Sequence, residues 1–306
     1  MIRAHSLVAV GAAILPVGSA LLGSQRLAAE DLASYRASVA EWDRQRAASL
    51  TAETGWLSLI GLFWLQEGDN TLGSDPRSDI ALPASKSPAR AGTLTLRDQR
   101  LRLQVAESAP ITQAGRRVSE LELAADTTGE PTVLDLGDLQ FYVIERGGRF
   151  GLRVRDRNHP ARFDFPGIDR FPVDPAWRLT GKLETFEPAR TLEIPNVLGQ
   201  LTPQESPGAA VFEIAGEIHR LDALAGPEGT LYLIFADQTS GRETYGGGRF
   251  LYSEPVAEDG TVVLDFNKAY NPPCAFTDYA TCPLPPRQNK LAVPIEAGEK
   301  TFDRDH

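Results

Sequence analysis

The chain has 306 residues with 42% hydrophobic and 24% charged content, a globular balance with room for one large or two ordinary domains. Forty-one acidic residues outweigh 31 basic ones, giving a formal charge of −10; such a chain lacks the basic face that phosphate-backbone binding needs, so nucleic acid is not an expected partner. Four histidines and two cysteines exclude a metal centre built from many soft ligands.

Arg3 supplies a positive start, and residues 7–22 are apolar or small apart from Pro16 and Ser19. Leu27, Ala28 and Ala29 then precede the first acids, Glu30 and Asp31. This pattern predicts a secretory leader over residues 1–29, cut near Ala28 or Ala29, and an exported chain, periplasmic or extracellular; an uncleaved anchor is the alternative. Without the leader, 29 basic residues face 41 acidic ones, or −12. Within residues 30–68, Leu32, Tyr35, Val39 and Trp42 recur at helical spacing, predicting an amphipathic helix over 31–50 with Asp31 as its N-cap. The apolar run at 56–65 is far short of the roughly 20 residues a bilayer-crossing helix takes, so it reads as a buried strand or helix and the mature chain has no expected membrane span.

From residue 68 onward short alternating runs are separated by Gly, Pro, Asp and Asn. Residues 92–96, 101–105, 139–144 and 151–155 predict strands, the last two joined as a hairpin by Gly147 and Gly148. A second set at 210–214, 217–221, 229–235 and 261–266 follows the proline-rich stretch at 160–175. The expected fold is mainly β: an N-terminal amphipathic helix, then two antiparallel β-units (sandwich and/or barrel) over 69–158 and 159–306. Trp42, Trp56, Trp64 and Trp177 are expected core aromatics.

Asn70-Thr71-Leu72-Gly73-Ser74-Asp75, followed by Ser78-Asp79-Ile80, resembles the opening of forkhead-associated domains, β-sandwiches that bind phosphothreonine. The likeness extends loosely over 69–155 and implies a sandwich there. It departs from the family where the chemistry lies: Ser74 replaces the arginine, no histidine occurs between His5 and His159, and Ala114-Gly115 replaces Asn-Gly. No phosphothreonine binding is expected without charge-assisted donors to the dianion.

The back half concentrates the polar residues. Asp237 ends one apolar run and Asp265 lies in the next, and a buried carboxylate must be paired, hydrogen-bonded or protonated. Arg249, between Gly248 and Phe250, is the natural partner for either; Thr239, Tyr245, Asn267, Tyr270 and Asn271 add donors and acceptors nearby. The Gly246-Gly247-Gly248 run lacks the lysine and helix of a phosphate loop. These motifs, with Asn271-Pro272-Pro273-Cys274-Ala275-Phe276, Gly55-Trp56-Leu57 and Phe171-Pro172-Val173-Asp174, closely resemble bacterial and archaeal proteins catalogued as domain of unknown function 1684. That resemblance brings no reaction with it.

Two readings of the cluster stand open. One is a buried arginine–carboxylate network that fixes strand register and pins the C-terminal loop. The other is a pocket for a small polar ligand lined by Asp237, Thr239, Tyr245, Arg249, Asp265, Asn267, Tyr270 and Asn271, in a ligand-binding or envelope-associated module. Paired aspartates with Arg249 and Tyr245 would also suit a hydrolase or another small-molecule enzyme. Cys274 and Cys282, an even pair in a chain expected to be exported, predict a disulfide. A nucleophilic Cys274 would need His159 or His219 brought close by folding, and seven intervening residues do not fit a zinc pair. No metal site is expected, and no serine-hydrolase elbow appears.

Overall fold

The computed structural model describes residues 18–303. The leader expected over residues 1–29 falls largely outside them. The N-terminal helix α1 spans Gly18–Thr51, so it starts well before Asp31, and that residue lies inside the helix and is not its cap. The apolar spacing is real but narrow: Val39 and Leu50 are buried, while Leu32, Tyr35 and Trp42 are half-buried. A helix with so thin an apolar stripe gains little from burial alone, and polar ties to the body supplement it.

The apolar run at 56–65 divides. Trp56–Ser58 forms a single 3-10 turn, and Leu59–Trp64 is strand β1. The front unit continues with β2 (Gly68–Gly73), β3 (Ile80–Ala81), β4 (Gly92–Arg97), β5 (Arg100–Val105), β6 (Thr112–Gln113), β7 (Arg116–Arg117), β8 (Glu120–Leu123), β9 (Leu134–Leu136), β10 (Leu139–Arg146) and β11 (Arg149–Asp156). One sheet runs β1-β11-β10-β9-β6-β7 and the other β3-β2-β4-β5-β8. Their inner faces share one core in which Leu94, Leu103, Leu134, Phe141 and Val154 are almost wholly excluded from water. The expected hairpin is β10–β11, paired from Leu139↔Asp156 to Arg146↔Arg149. Strand alternation on β11 sends Phe150, Leu152 and Val154 into this core, and therefore Arg153 and Arg155 to the opposite face. The apolar run thus belongs to the front sandwich through β1, which pairs with β11.

The back unit is one antiparallel sheet built from β12 (Arg178–Pro195), β13 (Leu201–Ile214), β14 (Glu217–Ala225), β15 (Leu231–Phe235), β16 (Arg249–Tyr252) and β17 (Thr261–Asp265). Its order is β16-β15-β14-β13-β12-β17. The sheet curls into a half-barrel, and Glu254, just beyond β16, donates its backbone N–H to Val263 of β17 at 3.0 Å. Phe212, Leu221, Leu233, Phe235, Leu264 and Phe266 fill its concave side. The β12–β13 hairpin overshoots the barrel, with a register shift between Thr185 and Arg190, and its tip reaches the front unit. There Gln200 Nε2 donates to Arg146 O at 3.1 Å, and Arg146 Nε donates to Thr281 Oγ1 at 3.1 Å.

After β17 the elements among the described residues are 3-10 turns at Phe266–Lys268, Pro273–Ala275 and Arg287–Asn289. Irregular backbone pressed against a core must satisfy its N–H and C=O groups without a ladder. Buried Asn289 answers part of this demand: its Nδ2 donates to Asp222 O (2.8 Å) and Ile234 O (3.0 Å), and its Oδ1 accepts from Asp222 N (2.8 Å).

The four tryptophans are all half-buried. Three of them receive an arginine over the ring: Arg170 over Trp42 at 5.1 Å, Arg153 over Trp56 at 5.4 Å and Arg149 over Trp64 at 4.6 Å. They work at boundaries between elements rather than at the centre of a core. No helix among the described residues is long and apolar enough to cross a membrane.

Candidate functional site

The eight polar residues singled out in the back half separate into distinct clusters. The first is centred on Arg249, which β16 carries into the interior with no exposed surface. Its Nη2 donates to Asp237 Oδ2 at 2.9 Å and to Ile295 O at 2.9 Å, while Nη1 donates to the carbonyl of Ala297. Asp237 in turn accepts at Oδ1 from Thr239 N (2.8 Å), Thr239 Oγ1 (2.6 Å) and Ile295 N (3.1 Å). Thr239 Oγ1 lies 2.8 Å from Thr244 Oγ1, completing the group. Both charges have zero side-chain exposure. Burial pulls the Arg249 guanidinium below its ordinary value, and Asp237 opposes that. The pair ties the end of β15 and the start of β16 to the irregular segment at 295–297.

Asp265 belongs to a second cluster. Tyr35 of α1 donates its hydroxyl to Asp265 Oδ1 at 2.8 Å, and Asn267 Nδ2 donates to both Tyr35 Oη (2.8 Å) and Asp174 O (2.8 Å). Asn267 Oδ1 accepts from Asp174 N at 3.0 Å, and Lys268 Nζ stands 3.6 Å from Asp265 Oδ2. Burial, then the neighbouring Asp265 carboxylate, pushes the Tyr35 phenol far above its usual range. Among the described residues Asp237 and Asp265 share no hydrogen-bond partner, and Arg249 forms its ion pair with Asp237. Of the two carboxylates open to Arg249, the fold gives it Asp237. They sit on opposite edges of the sheet order, one beside β15–β16 and the other at the end of β17.

Asn271 and Tyr270 enter a third cluster around Glu299, a fully buried carboxylate. Asn271 N donates to Glu299 Oε2 at 2.7 Å, and Arg46 of α1 donates from Nε to Glu299 Oε1 at 3.2 Å and from Nη2 to Asn271 O at 2.8 Å. Arg170 Nη1 is 3.9 Å from the same carboxylate and donates to Asp43 Oδ1 of α1 at 2.8 Å. The Arg46 guanidinium lies 4.8 Å from the Tyr270 ring centroid. Burial pushes the Glu299 carboxyl above the usual carboxylate range, while Arg46 and Arg170 pull it back. Glu299 has no local signature, because it sits in a stretch without periodicity, three residues after another acid, Glu296.

Tyr245 lies elsewhere, half-buried with Trp56 against the cluster of Cys274, Ala280 and Cys282. Cys274 and Cys282, the expected disulfide pair, are both buried and lie side by side, and the backbone N–H of Cys274 donates to Cys282 Sγ at 3.1 Å. The hydrogen bond with Cys274, then burial, pushes the Cys282 thiol far up. His159 turns its Nδ1 to Leu57 O at 3.0 Å, and His219 packs its ring 6.1 Å from Phe212. Among the described residues no three His, Cys, Asp or Glu side chains gather as a metal ion would require.

Beside the Asp237–Arg249 pair opens a cleft of about 890 Å³. One wall is the overshooting β12–β13 hairpin, with Thr191, Glu193 and Leu201; the other carries Ser240, Gly246, Gly247, Arg287 and Lys290. Gly248 sets that second wall. It has φ +83°, and a Cβ there would meet Pro285 Cγ at 2.4 Å and Phe235 O at 2.5 Å, so only glycine allows the loop this close. Among the described residues neither Arg287 nor Lys290 has an ion-pair partner, and both are exposed.

Residues 163–300 match the family described as a protein of unknown function, DUF1684. Among solved structures, an uncharacterized protein from Haloarcula marismortui is similar at 32% identity, over 47% of this chain and 81% of that one, with a TM-score of 0.40. The FhaA forkhead-associated domain, solved in complex with an intracellular domain, is similar at 20% identity over 31% of this chain and 97% of its own, with a TM-score of 0.22. A second forkhead-associated domain, from a study of phosphothreonine-dependent interactions, gives 21%, 31% and 92%, again at 0.22. No curated protein matches the chain.

Proposed function

We propose, for a chain that belongs to the DUF1684 family and whose back-half aspartates are engaged by its own side chains, that the function is binding of a small anionic ligand in the cleft beside Asp237. The observation that carries this reading is the pair of exposed cations, Arg287 and Lys290, without an ion-pair partner among the described residues, on the wall of an opening of about 890 Å³. Pockets of this size hold metabolite-sized ligands, with a few polar groups fixing orientation among apolar ones. Leu201, Leu284 and Pro286 supply apolar surface, while Ser240 Oγ accepts from Asp237 N (3.1 Å) and keeps its proton for a ligand. The buried Asp237–Arg249 pair acts as the rigid floor. An exported location agrees with the leader pattern at residues 1–29.

The paired-aspartate enzyme has no matching support, because Asp237 spends both oxygens on internal partners and Asp265 belongs to another cluster. The cleft is tested by thermal shift with citrate, succinate and glucose 6-phosphate, against neutral glucose, on the wild type and an Arg287→Gln/Lys290→Gln double variant. At a ligand concentration about 100 times Kd the gain is about 2.7 kcal/mol. At least one anion is expected to raise the wild-type Tm and to do so no longer in the double variant; a shift that survives both substitutions places the ligand elsewhere.

The thiols follow from the same proposal. In an oxidising compartment a disulfide-type oxidant takes two electrons and two protons from the neighbouring Cys274 and Cys282 thiols, and the two sulfurs close into a disulfide. Protein taken from the exported fraction without reductant is expected to show no titratable thiol after denaturation. Two thiols per chain would reject the bond.

A further inference from the structure

The outer face of β11 carries a second feature that no other cluster explains. Arg153 is 3% exposed, yet among the described residues its one side-chain hydrogen bond runs from Nη1 to Tyr142 Oη at 3.2 Å, leaving Nε and Nη2 without acceptors there. Two positions along on the same face, Arg155 donates from Nη2 to the same Tyr142 oxygen at 3.3 Å and from Nη1 to Gln140 Oε1 at 3.3 Å, and its Nε also lacks an acceptor. Two like charges thus converge on one neutral phenol. Aromatic faces supply part of the missing counter-charge: Arg153 lies 5.4 Å from the Trp56 ring and Arg155 lies 4.8 Å from the Tyr142 ring. No carboxylate pairs with either arginine among the described residues; the neighbouring Asp135 accepts from Gln140 at 3.3 Å and is paired with Arg157. Burial, with the charge of Arg153 adding to it, pulls the Arg155 guanidinium below its ordinary value.

Buried unpaired cations are costly, and removing a buried charge from water is repaid only by an opposite charge with good hydrogen-bond geometry. Three unsatisfied N–H groups on two adjacent guanidiniums form a fork array suited to oxygens of a compact oxyanion. We propose that Arg153 and Arg155 form a binding site for a phosphate- or sulfate-type oxyanion, entered from the half-exposed side of Arg155 next to Gln140. Tyr142 holds both guanidiniums in place, and Trp56 closes the inner end. This site lies in the front unit and does not depend on the cleft.

The test uses inorganic phosphate and sulfate as probes on the full chain. In anion-free buffer, Arg155→Gln is expected to melt no lower than the wild type, because it removes an uncompensated charge. Millimolar sulfate or phosphate is expected to raise the wild-type Tm by several degrees and to shift the Arg153 Nε–H resonance. Both responses are expected to persist in Arg287→Gln/Lys290→Gln and to vanish in Arg155→Gln. A wild-type Tm unmoved by either anion, or an equal rise in Arg155→Gln, overturns the proposal. Loss of the response only in the cleft double variant assigns the anion to the cleft and overturns it as well.

Discussion

Replacing Arg249 with methionine is expected to lower unfolding stability by about 3–5 kcal/mol, the usual cost of stranding one member of a buried ion pair. The size follows from what Arg249 holds. Its guanidinium serves Asp237 and the carbonyls of Ile295 and Ala297, and none of these has solvent to turn to. Against a total stability of about 5–15 kcal/mol, such a loss is a large fraction of the fold. The cost resides mainly in the orphaned Asp237 carboxylate. The double variant Asp237→Leu/Arg249→Met is therefore expected to be less destabilised than the sum of its single changes. Urea midpoints of the four proteins measure this coupling. A single Arg249→Met change within about 0.5 kcal/mol of wild type, as at an ordinary surface position, would show that the pair is not part of the scaffold.

Glu299→Ala is expected to cost a similar amount, about 3–5 kcal/mol, and to act at a different place. It strands Asn271 N and removes the charge shared by Arg46 and Arg170. Arg46 belongs to α1 and Arg170 is bound to Asp43 of the same helix, so the expected signature is early proteolysis within residues 31–51, ahead of global unfolding. The pH dependence has a definite sign. Burial outweighs the two cations and holds the folded Glu299 pKa above its unfolded value. The folded state therefore binds this proton more tightly, and the stabilisation is full at acid pH and lost as pH rises through the raised value. Glu299→Gln, which cannot ionise, is expected to lack that decline. A wild type and a Glu299→Gln variant with parallel stability–pH curves would contradict the assignment.

The sequence was informative where periodicity operates. Alternation placed the β10–β11 hairpin and β4–β5 almost to the residue, and the helical spacing of Tyr35, Val39 and Trp42 marked the inward face of α1. The need for a partner to buried Asp237 correctly pointed to Arg249. Contacts between residues far apart in the chain could not be read this way. Tyr35 meets Asp265 across 230 positions and Arg46 meets Glu299 across 253, and no local pattern records such pairs. For the same reason Asp265 looked equivalent to Asp237, since both end apolar strands, although the sheet order puts them on different edges. The C-terminal segment hid its role most completely. Without a ladder, its order comes from single side chains such as Asn289 and Glu299, which leave no repeat in the sequence.

Buried polar side chains lock this irregular segment into the core, so that the cleft beside it has a rigid wall. Backbone-amide hydrogen exchange tests this on the unmodified protein. The amides of Thr239 and Ile295, donated to Asp237, of Asn271, donated to Glu299, and of Asp222, donated to Asn289, are expected to exchange only through global unfolding, at the rate of core strand β15. Exchange of Ile295 and Asn271 at the rate of an exposed loop would show that the segment is not locked to the core.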